Sequence, residues 1–173
     1  VIIKEARKYV PFVSFTSNGL LLDDERSRSL KEAGLSWIQI SLDSLDPEYH
    51  RRIRGGDVNK ILENLEAFSK ITDLPVHLWS VVTAENIDDL TELPELKSRI
   101  PTLELLHFQL LQGDHLLEKH NLDSCIPVEK MKVFKENIQR QSEELGIETD
   151  VNTLPDEQPQ GYTKGVCPAP WTW

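Results

Sequence analysis

The sequence predicts an α/β protein built on a parallel sheet, and three features carry that prediction. Short β-branched or aromatic runs alternate with amphipathic helical patterns along most of the 173 residues. Turn and cap residues sit at the boundaries between them. The connections are long enough for crossover helices, which parallel neighbours require and hairpins do not.

Taken in order, the residues up to Arg7 read as the tail of a helix. Residues 12–16 predict a first strand, stopped by the turn signal Ser17-Asn18-Gly19. A helix follows over residues 23–33, with Asp23 as its N-cap and Gly34 as its stop. Residues 37–42 predict the second strand. After a loop, Val58, Ile61, Leu62, Leu65 and Phe68 recur at helical spacing as far as Ile71. Residues 76–82 predict a third strand. Asn86 then opens an amphipathic helix bearing Ile87, Leu90, Leu93 and Leu96. Residues 103–111 form the fourth strand, Val128, Met131, Phe134, Ile138 and Leu145 mark a long helix, and residues 147–151 a closing strand.

A closed or partial barrel and an open doubly wound sheet both fit this rhythm, and both place ligands at the carboxyl ends of the strands. The polar residues there are Thr16, Ser17 and Asn18; Ser41, Asp43 and Ser44; Thr83 and Asn86; and Gln112, Gly113 and Asp114. No glycine-rich phosphate loop follows any strand, which counts against the dinucleotide-binding form of the open sheet.

Composition is that of one globular domain, 39% hydrophobic and 28% charged. A net charge of −10 repels phosphate backbones and argues against a nucleic-acid partner. No apolar run approaches the roughly 18 residues of a membrane span, and no signal peptide opens the sequence, so the expectation is a cytoplasmic protein with no membrane partner. Two cysteines cannot build a disulfide framework, and Cys125 reads as an incidental thiol. His107, His115 and His120 lack metal-ligand spacing. His50 reads as structural or exposed. His77 and Trp79 alternate on one strand and so share a face, which would be a substrate wall if it faced a barrel interior. Both ends of the sequence look arbitrary, and a piece of a longer protein is expected.

Two stretches are more specific. The first runs Thr16-Ser17-Asn18-Gly19, then Ile40-Ser41-Leu42-Asp43-Ser44-Leu45-Asp46-Pro47, then Ile53-Arg54-Gly55. In this order and rhythm it resembles the third and fourth strands of the radical S-adenosylmethionine (SAM) superfamily. The likeness is to the branch of the molybdopterin cyclising enzyme and the SPASM/twitch enzymes. The second, Val166-Cys167-Pro168-Ala169-Pro170-Trp171, resembles the entry to a SPASM or twitch extension.

The resemblance implies a partial (β/α) barrel of parallel strands, incomplete at its N-terminus. Residues 1–151 would form its central and C-terminal part, and residues 152–173 a linker and the start of an auxiliary-cluster extension. It implies an enzyme that reductively cleaves SAM to a 5′-deoxyadenosyl radical and modifies a peptide or small-molecule substrate. An electron donor such as flavodoxin or ferredoxin would serve it. The family's Cys-x-x-x-Cys-x-x-Cys loop does not occur in the sequence, so the ligands of the 4Fe–4S cluster would lie outside these residues and this stretch alone would be inactive.

By the same resemblance Ser41 contacts the carboxylate or ribose of SAM and Arg54 its carboxylate. Asp43 either accepts from a ribose hydroxyl or caps the helical turn after Pro47. Thr16 and Asn18 either face SAM or substrate or supply the turn, and Leu110 and Leu111 pack against adenine or in the core. Cys167 is either a ligand of an auxiliary iron–sulfur cluster or a buried thiol. Two other classes fit the pattern: a conventional α/β-barrel enzyme, which would need a lysine or paired carboxylates at strand ends, and a cluster-free binding or scaffold domain.

Overall fold

The computed structural model describes residues 2–110 and 126–154. One five-stranded sheet organises them: β1 (Ser14–Ser17), β2 (Trp37–Ser41), β3 (Val76–Val82), β4 (Leu103–Leu110) and β5 (Glu148–Thr149). Every pairing is parallel, and the strands lie side by side in chain order. A doubly wound sheet reverses its order at a switch point. Here no reversal occurs, so each crossover steps the same way, and the described sheet is the open wall of a partial barrel.

Period-two burial gives that wall two unlike faces. Ile38, Ile40, Val76, Leu78, Leu103 and Leu106 are all fully buried. They merge with Ile61, Leu65 and Phe68 of α4 (Val58–Ile71) and with Phe134 and Ile138 of α6 (Val128–Leu145) in one apolar cluster. The alternate residues Trp37, Gln39, Ser41, His77, Trp79 and Val81 are only half-buried. The first set is the helix-covered core, and the second faces the other way.

The observed elements follow the expected ones closely. Asp23 caps α2 (Asp24–Glu32), its carboxylate accepting from Arg26 N–H at 2.8 Å. α4, β3 and α6 have the expected bounds. The opening helix is α1 (Ile2–Ala6).

Three differences have local causes. The stretch before α4, read as a loop with a helical turn after Pro47, contains the full helix α3 (Pro47–Arg54), capped by Asp46, whose carboxylate accepts from Tyr49 N–H at 2.6 Å. Pro47 opens the helix and Gly55, at φ 75°, closes it. The helix expected from Asn86 to Leu96 divides into α5 (Ile87–Leu90) and a 3₁₀ turn, Leu93–Ser98. Pro94 cannot donate to a continuous helix, and the Asn86 side chain makes no cap bond. The closing strand shortens to two residues before a 3₁₀ turn at Val151–Thr153.

The turn after β1 is held from across the core. Asn64 of α4, 6% exposed, donates from Nδ2 to the carbonyls of Gly19 and Leu20 at 2.9 and 3.0 Å. Gly19 has φ 75°, and a Cβ there would stand 3.1 Å from the Ile61 side chain. Gly19→Ala is therefore expected to destabilise the fold by about 1–2 kcal/mol. Urea denaturation reads this directly, and an unchanged midpoint would contradict it.

Candidate functional site

The carboxyl end of β2 turns a buried carboxylate inward and brings an arginine back to it. Asp43 is 3% exposed. Its Oδ2 accepts from Arg54 Nε at 2.6 Å, and its Oδ1 accepts from Arg54 Nη2 at 3.1 Å and from Val81 N–H at 2.9 Å. One side chain thus joins β2, the C-terminal turn of α3 and the upper part of β3. A fork-to-fork pair fixes direction as well as distance, so α3 folds back over the strand ends. Arg54 consequently stands at the same sheet edge as Ser41, two residues before its anchor.

Of the two roles expected of Asp43, the structure removes the helix cap. Asp46, not Asp43, caps the helix after Pro47. Both Asp43 oxygens accept bonds within the protein, Oδ1 from Arg54 and Val81 and Oδ2 from Arg54. Among the described residues Arg54 Nη1 has no partner, and the side chain is 34% exposed. The Ser41 hydroxyl has no hydrogen-bond partner among the described residues and lies half-buried at the strand exit. A free hydroxyl and an arginine edge at one strand end suit a ligand bearing a carboxylate and hydroxyls.

Asn86 locks this edge from beneath. Nearly fully buried, it donates from Nδ2 to the carbonyls of Asp43 and Val81 at 2.6 and 2.8 Å. Its Oδ1 accepts from Thr83 N–H at 2.7 Å and from the Thr83 hydroxyl at 3.0 Å. Tyr49 of α3 completes the chain through its hydroxyl, 2.9 Å from Thr83 Oγ1. Thr83 and Asn86, read as strand-exit ligand candidates, therefore serve the backbone.

The other expected residues fall in different places. Thr16 bonds Gln39 Oε1 at 2.8 Å on the half-buried face. Asn18 accepts from Leu20 N–H at 3.2 Å and Ser17 from Gly19 N–H at 3.1 Å, so both shape the turn. Leu110 ends β4 and packs against the core cluster. Leu111, Gln112, Gly113, Asp114, His115, His120, Cys125 and Cys167 lie outside the described residues. Among the described residues no group of three or more His, Cys, Asp or Glu could hold a metal. None of their helices is long and apolar enough to cross a membrane. A cavity of about 680 Å³ beside β1 and α2 is lined by apolar residues such as Ile3, Phe15 and Leu30, and includes neither Ser41 nor Arg54.

The half-buried sheet face carries a row the sequence did not single out as a unit. Ser41 pairs in register with Trp79, and Trp79 with His107. The Trp79 and His107 rings are 4.0 Å apart between centroids. His107 Nδ1 pairs with Asp150, whose other oxygen accepts from Phe108 N–H at 3.0 Å. One row below, Trp37 stacks on His77 at 5.7 Å, and His77 Nε2 lies 3.5 Å from Glu104. His77 and Trp79 do share this face, as alternation predicts. The His107–Asp150 pair spans 43 residues and left no spacing signal. The indole nitrogens of Trp37 and Trp79 are buried with no partner among the described residues.

Comparison with known proteins gives the family and the fold. Residues 1–96 match the model of the radical SAM superfamily. A probable GTP 3′,8-cyclase of Methanosarcina mazei is 30% identical over 142 residues, covering 78% of this chain and 40% of the relative. In structure, a domain of pyruvate-formate lyase-activating enzyme from Bacteroides vulgatus matches with TM-score 0.65 at 14% identity, over 86% of this chain and 85% of that one. Streptococcus suis SuiB bound to precursor peptide SuiA matches with TM-score 0.61 at 12% identity, over 79% of this chain and 31% of that one. These structural likenesses show the fold, a parallel α/β partial barrel. The family model covers more than half of the sequence, and the chain belongs to the radical SAM superfamily. It spans less than half the length of the curated relatives named GTP 3′,8-cyclase that it matches, from 25% to 46%.

Two predictions follow from the packing at this edge. Asn86→Ala leaves buried carbonyl and N–H groups unpaired and is expected to cost about 3 kcal/mol, read by urea denaturation; a loss below about 1 kcal/mol would show the network to be dispensable. His50 of α3 is 1% exposed, and burial holds its imidazole below the ordinary 6.5, against the opposing pull of Asp43. The unfolded chain then binds the proton first. Stability should be full above pH 6.5 and fall as pH drops below it, levelling only once the folded imidazole protonates. Denaturation midpoints measured across that range should lose part of their slope in His50→Gln, and an identical slope would refute the assignment.

Proposed function

We propose that this chain forms the SAM-holding wall of a radical SAM iron–sulfur enzyme, in which Ser41 and Arg54 grip the amino-acid end of SAM. The observation that carries this reading is their placement at one strand edge, with Arg54 aimed by the buried Asp43 and Ser41 left free. Arg54 Nη1 would take the carboxylate, and the Ser41 hydroxyl a carboxylate or ribose oxygen. Thr16 borders the same face through Gln39, and Leu110 lies at the exit of β4, two strands from β2, where an adenine ring would find apolar surface. Asn18 supports the turn beside them.

A 4Fe–4S cluster together with SAM supplies reductive cleavage of the sulfur–carbon bond, which no side chain here can perform. The protein's own part is to orient, to exclude water and to hold substrate beside the cleaved bond. The one-electron donor would be a flavodoxin or ferredoxin. The substrate is proposed to be a small molecule or a peptide. The relatives' name, GTP 3′,8-cyclase, supports the first, and the shared fold of SuiB with its bound peptide is compatible with the second. The Cys-x-x-Pro-Trp context of Cys167 supports a proposed auxiliary-cluster ligand at that position.

The test is anaerobic purification of the full-length protein, reduction with dithionite, and measurement of 5′-deoxyadenosine released from SAM. Release is expected in the wild type. Ser41→Ala and Arg54→Lys should each weaken SAM binding roughly tenfold. A colourless protein that leaves SAM intact would defeat the proposal, and unchanged SAM affinity in both variants would remove these two residues from it.

A further inference from the structure

The row Ser41–Trp79–His107 continues past the proposed SAM-binding residues to an imidazole fixed on two sides. Asp150 holds Nδ1, and the Trp79 ring lies against the face of the imidazole. Nε2 has no partner among the described residues. A carboxylate on Nδ1 draws the proton to that nitrogen and leaves Nε2 a lone pair, so the exposed edge is an acceptor. His107 and Asp150 are each about a quarter exposed, reachable yet ordered.

Two strand spacings separate Ser41 from His107, about 10 Å. A group at Nε2 would therefore sit beside a ligand held at Ser41, not on top of it. The wall around that position is built of flat rings, Trp37, His77, Trp79 and His107, all on one sheet face. Flat walls favour flat ligands, through stacking and edge-to-face contact. No function described so far uses this pair: neither residue bonds Asp43, Arg54 or Asn86.

We propose that His107 is a specificity-determining residue, its Nε2 accepting a hydrogen bond from a flat, N–H-bearing ring of the substrate. Asp150 is the positioning residue that sets the tautomer. This inference rests on the reading that SAM lies at Ser41 and Arg54. The ring chemistry has two sources, a nucleobase or an aromatic side chain of a peptide.

Asp150→Asn separates positioning from mere support. Phe108 N–H occupies Oδ1 at 3.0 Å. In the variant the single amide oxygen stays on that N–H and the NH₂ turns toward His107. Nδ1 must then accept, the proton moves to Nε2, and the acceptor edge becomes a donor. His107→Phe keeps a flat ring beside Trp79 and deletes the acceptor.

The full-length protein is titrated by calorimetry with GTP and, separately, with N-acetyltryptophan amide, and ¹⁵N-histidine spectra follow Nε2. At least one of the two ligands is expected to bind and shift the Nε2 resonance, GTP marking the nucleobase source and the indole the peptide source. Both variants should weaken that binding roughly tenfold. Asp150→Asn should also convert the Nε2 signal from the unprotonated to the N–H type. Release of 5′-deoxyadenosine from SAM alone should be unchanged in both variants. The inference is overturned if neither ligand binds, if His107→Phe binds as tightly as wild type, or if the variants lose affinity for SAM instead. A wild type that binds the ring ligand through His107 but never cleaves SAM defeats the enzymatic reading and leaves the recognition site standing.

Discussion

A single buried carboxylate organises the working edge of this molecule. Asp43 takes both donors of the Arg54 fork and a backbone N–H of β3, so three elements meet at one side chain. A carboxylate this buried is tolerable only when paired and fully hydrogen-bonded, and the structure meets that condition with no free oxygen left over. The consequence is mechanical. α3 cannot swing away from the sheet without stranding the charge, so Arg54 stays at the strand exit in the absence of any ligand. Pre-positioning of this kind lowers the ordering cost when an anion arrives, although the neighbouring negative charge also tempers the attraction Arg54 can offer.

The backbone beneath is treated with equal economy. Asn86 satisfies the carbonyls of Asp43, at the exit of β2, and of Val81, in β3, and accepts from both donors of Thr83. Arg52 of α3 ion-pairs with Glu85 in that loop and lies over the Tyr49 ring, 5.0 Å from its centroid. The exit of β3 and the helix after β2 are thus tied together at several points. Rigid strand ends supporting short loops are what a site at the carboxyl edge of a parallel sheet requires.

Alternation along the strands divides labour between the faces. Aliphatic residues on one side join the helices in a dry core, whereas tryptophan, histidine, glutamine, serine and threonine occupy the other. Parallel strands covered on both faces normally read as continuous apolar runs. The polar and aromatic half of β2, β3 and β4 marks a face built to meet something other than a second layer of helices. Residues 1–96, which match the radical SAM superfamily model, include β2 and β3 of this face.

Much of this was legible in the residues. Helix α4, helix α6 and strand β3 follow from apolar periodicity alone, since burial of a 3.6- or 2-residue stripe is a local property. Helix α3 was also written, in Asp46-Pro47 and Gly55, but its polar arginine-rich surface hid it from a search for apolar stripes. Ser41 and Arg54 could be singled out through the order of short motifs. What Asp43 does could not, because a carboxylate after a strand looks the same whether it faces ligand, helix N-terminus or arginine.

The sequence by itself determined the alternation of strands and helices, the parallel character of the sheet and the family pattern, because each depends on neighbours in the chain. Tertiary structure alone decided that Asp43 binds Arg54 and does not cap a helix, that Asn86 serves carbonyls and not a helix, and that His107 meets Asp150 across 43 residues. These depend on which strands lie side by side and in what register. Strand pairing brings together side chains far apart in the chain, and no local pattern of residue types encodes that distance.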